Sequence, residues 1–153
     1  MPLSDLCVAS RLVRARPDDA NVPSLLALPF LGFVHASDPT YVRTRQYILS
    51  NSTNPYYFSG SAGEGIGSPH TGEGRIWPIA IIASALTSGD DAEIAQALAT
   101  LKASAARTGL IHESFGRNDF GSITRPWFAW ANSLFGELLV RLSVERPHLI
   151  GIP

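Results

Sequence analysis

The residue types best suited to chemistry lie within one short stretch of the chain, residues 107–139. Its acid, Glu113, directly follows an apolar pair and His112, and a carboxylate in apolar surroundings is costly unless it has partners or a task. Trp127 and Trp130 come after a polar loop. Aromatic rings beside a carboxylate suit a pyranose, whose C–H faces stack on them while its hydroxyls take hydrogen bonds. The stretch indicates a sugar site at Glu113, unless the aromatics are simply core.

The loop and helix that follow the acid must position these aromatics. Pro126 is expected at the first position of a helix, which would place Trp127 and Trp130 on one face, three positions apart. One tryptophan is then expected to form a sugar platform and the other to join the core. Arg125, on the preceding loop, is either the counter-charge that keeps Glu113 ionised or a donor to a sugar hydroxyl.

Several sequence segments, taken together, are more specific than any single motif. They are Asp18–Leu26, Gly65–Thr71, Ile76–Pro78, His112–Phe115 and Thr124–Asn132. In this order and with unbroken spacing over roughly residues 17–143, they resemble the C-terminal part of glycoside hydrolase family 125. Members of that family are metal-independent exo-α-1,6-mannosidases.

The resemblance implies inverting hydrolysis of α-1,6-linked mannosides of N-glycan or mannan type, without metal or other cofactor. By motif match it makes Glu113 the general base, and it makes His70, Arg125, Trp127 and Asp19 substrate-binding residues. Inverting hydrolysis also needs a general acid, about 6.5–9.5 Å from the base. In the family this acid is an aspartate upstream of the matched region, so no residue of this chain corresponds to it.

Other carboxylates of the chain are weaker candidates for that role. At least one of Asp18 and Asp19 is expected to cap a short helix, which leaves the other open to substrate contact. Asp119 is not assigned a catalytic role. Glu137, within an apolar helix, is either an alternative acid or, as we favour, a structural one.

The glycine-rich loop at residues 59–75 does not fit a nucleotide site. A dinucleotide fingerprint needs a strand before the glycines and a helix directly after them, and no βαβ unit surrounds this loop. We interpret its glycines as allowing the backbone and His70 to approach a ligand. A zinc site is also unsupported, because His112 and Glu113 are not followed by the second histidine of a zincin motif.

The elements that position these residues are predicted to be helical. Helices are expected at residues 38–49, 76–87, 90–107 and 126–143, after a short helix that ends at Pro29, with loops at 59–75 and 116–122. This pattern predicts an all-α fold, and the resemblance implies part of an (α/α)6 toroid of helical hairpins around a central pocket. A full toroid needs on the order of 200 residues, so 153 residues supply about its C-terminal half.

The sequence is predicted to consist of three parts. Residues 1–16 form an unmatched leader, residues 17–147 the C-terminal part of a catalytic domain, and residues 148–153 a tail. An incomplete toroid would expose apolar faces between its hairpins, which predicts self-association through them.

Composition excludes several classes of partner. A net charge of −1 and a pI near 6.4 give no basic footprint for nucleic acid or an anionic membrane surface. The apolar run at residues 76–86 is too short to span a bilayer. The N-terminal sequence does not match a secretory signal, and the single cysteine, Cys7, leaves the compartment open. Two hypotheses remain: a fragment of an α-mannosidase, and a non-catalytic helical remnant or sugar-binding module.

Overall fold

A computed structural model describes residues 25–105 and 108–151. Within them the chain forms four α-helices and five β-strands. The helices are α1 (Pro39–Ile48), α2 (Pro78–Leu86), α3 (Asp91–Ser104) and α4 (Ala129–Glu145); the strands are β1 (Tyr57–Ser59), β2 (Glu64–Ile66), β3 (Arg75–Ile76), β4 (Ser114–Gly116) and β5 (Asp119–Thr124). The predicted leader at residues 1–16, together with Asp18 and Asp19, lies outside the described residues.

The prediction of an all-α fold is wrong. Strands β1 and β2 form an antiparallel hairpin, and β3, β4 and β5 form a second antiparallel sheet in that order. The predicted loop at residues 59–75 contains most of the first hairpin and the first residue of β3, and the predicted loop at 116–122 contains the turn and four of the six residues of β5. The described residues therefore form a mixed fold of helices and two small sheets.

These strands escaped prediction because they are two to six residues long and lack the alternation that marks a half-buried strand. Two glycines that directly follow β1 and β2 allow close packing. A Cβ at Gly67 would lie 2.0 Å from the Arg75 carbonyl oxygen, and one at Gly60 would lie 2.2 Å from Asn118 Oδ1. At these two positions the glycines bring strands and turns together. That the loop also lets the backbone and His70 approach a ligand stays a prediction.

Helix α1 begins as predicted. Asp38 Oδ1 accepts hydrogen bonds from the backbone N–H groups of Tyr41 at 3.1 Å and Thr40 at 2.7 Å, and these bonds lower the pKa of Asp38. Pro39 occupies the first helical position, where its missing N–H costs nothing. The sequence pattern Asp-Pro thus predicted this helix start correctly.

Helix α4 begins three residues later than predicted, at Ala129 rather than Pro126. The Pro126 carbonyl is bound by the His112 side chain, and the Phe128 N–H donates to the Ile111 carbonyl at 3.0 Å. The segment before Ala129 therefore pairs with the chain ahead of β4 and cannot enter the helix. Trp127 in consequence lies outside the helix that was predicted to carry it.

Helix α2 is the central element of the core. It packs against α3 and α4, and most of its side chains are buried. One cluster of buried residues joins α2, α3, α4 and the second sheet, and a smaller cluster joins the other side of α2 to α1 and β2. Each large side chain fully buried here contributes roughly 1.5–3 kcal/mol. Phe115, on β4, is 0% exposed, which anchors the strand next to Glu113 in this core.

Two further observations concern the surface. None of the helices in the described ranges is both long enough and apolar enough to cross a membrane. Val140 and Val144 on α4 are 64% and 81% exposed. Self-association through exposed helical faces stays a prediction.

Candidate active site

Glu113 is the acid around which the candidate site is built. It precedes the first residue of β4, and its N–H donates to the Thr124 carbonyl at 3.2 Å, which continues the β4–β5 pairing. Its side chain is only 5% exposed. Arg125 Nε lies 3.4 Å from Glu113 Oε1, and His70 Nε2 lies 3.9 Å from the same oxygen. The structure thus brings the predicted base together with two of its predicted partners.

Aromatic side chains surround these three residues in an open cleft of about 510 Å³. Trp77 and Phe128 meet edge to face, with ring centroids 6.1 Å apart, and Phe128 and Trp130 are 5.6 Å apart. Trp127 and Trp130 are 65% and 71% exposed. The prediction that one of these two tryptophans would join the core is therefore wrong, because both line the cleft and face solvent.

Two helix starts meet at this cleft. Trp77 is the N-cap of α2 and Phe128 is the N-cap of α4, and both have extended backbone there. The N-terminal end of a helix carries partial positive charge, which favours a carboxylate nearby. Trp77 and Phe128 were not predicted as site residues. The available signal was the aromatic residue directly before Pro78, at the end of a polar loop.

The loop that carries His70 is held by its neighbours. The Ser68 hydroxyl accepts from the His70 N–H at 3.2 Å, and the Trp77 indole N–H donates to the Thr71 hydroxyl at 2.7 Å. The imidazole itself is 64% exposed and meets the Trp77 ring at a centroid distance of 6.2 Å. His70 is therefore presented to the cleft from a fixed backbone.

Arg125 has a backbone conformation that is unusual for its type. Its φ of 41° lies in the left-handed region, and a residue before proline is restricted towards extended conformations. Such strain costs on the order of 1–3 kcal/mol and persists only where the surroundings impose it. The guanidinium carbon lies 5.8 Å from the Phe128 ring centroid. The contacts that hold this turn are accordingly part of the site.

A backbone frame fixes the chain on both sides of Glu113. The Asn132 side chain on α4 accepts from the Ile111 N–H at 3.0 Å and donates to the Ile111 carbonyl at 2.7 Å and the Phe128 carbonyl at 2.8 Å. His112 is 1% exposed, and its Nδ1 contacts the Pro126 carbonyl oxygen. His112 and Asn132 lie in segments that carry the family resemblance, but neither was predicted to be a site residue.

The remaining acids considered from the sequence lie elsewhere. Asp119 Oδ1 accepts from the Gly121 N–H at 2.8 Å, as a turn residue does. Glu137 is exposed on α4 and does not line the cleft. Asp19, predicted to bind substrate, is outside the described residues. Over the residues that the structure describes, the cleft holds a single carboxylate, and no group of three or more His, Cys, Asp or Glu side chains could hold a metal ion.

This arrangement suits a small polar ligand with apolar faces. The cleft volume is within the range of about 300–1,000 Å³ that is typical of small-molecule sites. The carboxylate can accept a hydrogen bond from a hydroxyl or activate a water, the two cation-capable side chains can bind oxygens, and the exposed indoles can stack on a ring. A sugar meets all of these requirements.

Comparisons with known proteins agree with this chemistry. The sequence profile of the metal-independent α-mannosidases (GH125) matches residues 13–140. The meiotically up-regulated gene 157 protein of Schizosaccharomyces pombe is 56% identical over 133 residues, which cover 87% of this chain and 26% of that protein. The chain therefore spans about a quarter of the length of this relative.

A solved structure of a metal-independent α-mannosidase from Streptococcus pneumoniae is also similar. It is a non-productive substrate complex with α-1,6-mannobiose, from a study concerned with the processing of N-linked glycans. The two folds match with a TM-score of 0.78 at 45% sequence identity. The match covers 84% of this chain and 30% of that chain.

Proposed function

The chain belongs to glycoside hydrolase family 125, the metal-independent α-mannosidases, as its sequence predicted, and we propose that it carries the base side of an exo-acting α-1,6-mannosidase site. Residues 17–147 would then be the C-terminal part of the catalytic domain. The observation that carries the proposal is the buried carboxylate of Glu113, open to an aromatic cleft and faced by Arg125 and His70. The mannobiose-bound bacterial relative supports the choice of sugar and linkage.

Inversion assigns a distinct task to each of these side chains. Glu113 acts as general base and takes a proton from the water that attacks the anomeric carbon. Arg125 and His70 donate hydrogen bonds to sugar hydroxyls around that carboxylate, and Trp127 supplies a face on which a pyranose ring stacks. The leaving oxygen needs a proton from a separate carboxylic acid, for which the sequence offered no counterpart in this chain.

A second function is favoured by one specific observation. Among the described residues the cleft holds one carboxylate, whereas inverting hydrolysis requires two. A chain with the base side alone would bind mannosides without cleaving them, as a sugar-binding module does. Both functions use the same cleft, so binding and turnover must be measured separately.

The deciding experiment measures both quantities on the 153-residue chain, with a chelator present throughout. Binding of α-1,6-mannobiose is followed by calorimetry. NMR follows the release of mannose and shows which anomer of mannose is formed first. We expect binding that weakens about tenfold in Trp127→Ala, the loss of one stacking contact, and that is unchanged in the control Val144→Ala on α4. Any mannose released should be the β-anomer and should disappear in Glu113→Gln.

The outcomes separate the alternatives. Binding without release would leave the chain as a mannoside-binding module, and release lost in Glu113→Gln would support the enzyme. Turnover that survives Glu113→Gln, or α-mannose as the first product, would overturn the assignment of an inverting base. Equal binding of mannobioses with other linkages would remove the α-1,6 preference.

A further inference from the structure

The residues on either side of Arg125 are more firmly held than Arg125 itself. The Thr124 carbonyl accepts from the Glu113 N–H, the Pro126 carbonyl is contacted by His112 Nδ1, and the Phe128 N–H donates to the Ile111 carbonyl. Arg125 makes none of these bonds, and its side chain is 60% exposed. Its position is therefore set by the contacts of its neighbours in the chain.

The contact of His112 is the one nearest to the strained residue. A carbonyl oxygen can only accept, so the Nδ1–H of His112 must donate to the Pro126 carbonyl. That carbonyl belongs to the residue directly after Arg125, whose φ is 41°. The other ring nitrogen, Nε2, lies 3.3 Å from the Ala105 carbonyl oxygen and 3.4 Å from the Thr108 hydroxyl. The imidazole thus links the Arg125 turn to the end of α3.

We propose that His112 is a positioning residue, which holds the Pro126 carbonyl and thereby keeps the strained Arg125 beside Glu113. Without that bond the turn relaxes towards the extended backbone that a residue before proline prefers. Relaxation moves the guanidinium away from the carboxylate, from which its Nε is 3.4 Å distant. His112 does not line the cleft, so any effect that it has on a ligand is indirect, and we assign that effect to Arg125.

Two substitutions divide the roles of the ring nitrogens. The amide nitrogen of asparagine reaches the place of Nδ1, so His112→Asn keeps the donor to the Pro126 carbonyl and loses the contacts of Nε2. The longer His112→Gln places its amide near Ala105 and Thr108 and loses the donor to Pro126. If His112 only filled space, His112→Gln would be the milder substitution, because the volume of glutamine is closer to that of histidine.

The first measurement needs no ligand, and it follows the Arg125 Nε–H signal in the NMR spectrum of the full chain. We expect this signal at its original position in His112→Asn, and shifted and broadened in His112→Gln. Thermal unfolding by circular dichroism checks that each variant is folded. If His112→Gln does not fold, His112→Asn decides alone, because loss of the Arg125 signal in that folded variant would overturn the proposal.

The second measurement is a double-mutant cycle on α-1,6-mannobiose binding, which rests on the proposed function. His112→Gln should weaken binding about tenfold, as should Arg125→Ala, if each removes the same charged contact. In the Arg125→Ala background His112→Gln should cost no more than about twofold, because its target is already gone. Additive losses would show that His112 acts by another route. If the unaltered chain does not bind mannobiose, the proposed function fails, and the Arg125 signal still tests the positioning role.

Discussion

Glu93 and Glu113 differ in opposite directions in burial and in the number of hydrogen bonds that their carboxylates accept. Glu93, at the start of α3, is 37% exposed, yet its carboxylate accepts three hydrogen bonds: from Arg45 Nη2 at 2.7 Å, Ser84 Oγ at 2.9 Å and Ser88 Oγ at 2.6 Å. Glu113 is 5% exposed, but its carboxylate accepts no hydrogen bond from the described residues. The nearest nitrogens, Arg125 Nε and His70 Nε2, lie 3.4 and 3.9 Å away. Glu113, the more buried of the two acids, therefore accepts fewer hydrogen bonds from the described residues than Glu93 does.

The difference separates an acid that supports the fold from one that is kept available. Around Glu93 partial burial acts to raise the pKa, but the bonds from Ser88, Arg45 and Ser84 outweigh it, and the pKa of Glu93 is lowered. At Glu113 the fold fixes the backbone, and among the described residues the carboxylate has the Arg125 contact at 3.4 Å but accepts no hydrogen bond. A group that must receive a ligand or a water cannot have its oxygens occupied by the protein.

The largest effect should come from breaking the frame behind Glu113. Asn132→Leu removes three hydrogen bonds and leaves the backbone of Ile111 without those partners. We expect a loss of about 2–3 kcal/mol in the free energy of unfolding, measured by urea denaturation. Ser133→Ala, an exposed neighbour on α4, is the control and should change it by less than about 0.5 kcal/mol. If the two variants were equally stable, the site would not be a rigid frame with a free carboxylate.

The helices and the sheets differ in how far the sequence could predict them. The Asp38-Pro39 start and the apolar run of α2 are local signals, and the structure confirms helices at both. The hairpins depend on contacts distant in sequence, such as Asn118 meeting the backbone at Ser61 and Gly60. Short strands with many glycines carry no periodicity of their own. The positions of these strands are therefore set by contacts between distant parts of the chain, which the local sequence pattern does not reveal.

The site shows the same division. The residues predicted to surround Glu113 were found there in three cases, His70, Arg125 and Trp127, because a family motif records tertiary proximity. Their catalytic and binding roles stay predictions. The positioning contacts of His112 were not predicted, since a buried histidine and an exposed one look alike in a sequence. Side-chain bonds to the backbone leave no spacing pattern, so only the structure reveals them.

An intermediate effect on the free energy of unfolding is expected at Glu93, whose carboxylate accepts three hydrogen bonds. Glu93→Gln replaces a charge that three donors bind, and we expect a loss of about 1–2 kcal/mol at pH 7, limited by the partial exposure of the site. Because the folded pKa of Glu93 is lowered from its ordinary value of 4.5, the stabilisation is present above that value and is lost as pH falls through the folded pKa. The stability difference between the two proteins should therefore shrink from pH 7 to pH 3. A constant difference would attribute the loss to packing.

The smallest effect on stability is expected from the same substitution at Glu113. The Arg125 and His70 side chains are 60% and 64% exposed, and their nitrogens lie 3.4 and 3.9 Å from the carboxylate, so solvent screens any attraction between them and Glu113. Glu113→Gln keeps the shape of the side chain and removes the buried charge, whose desolvation costs free energy. We expect the free energy of unfolding to change by less than about 0.5 kcal/mol or to rise. A loss as large as that of Glu93→Gln, in parallel urea titrations, would make Glu113 a structural acid, and the contrast between the two glutamates would disappear. An unchanged or raised stability together with weaker mannobiose binding would identify Glu113 as a residue retained for the ligand at no benefit to the fold.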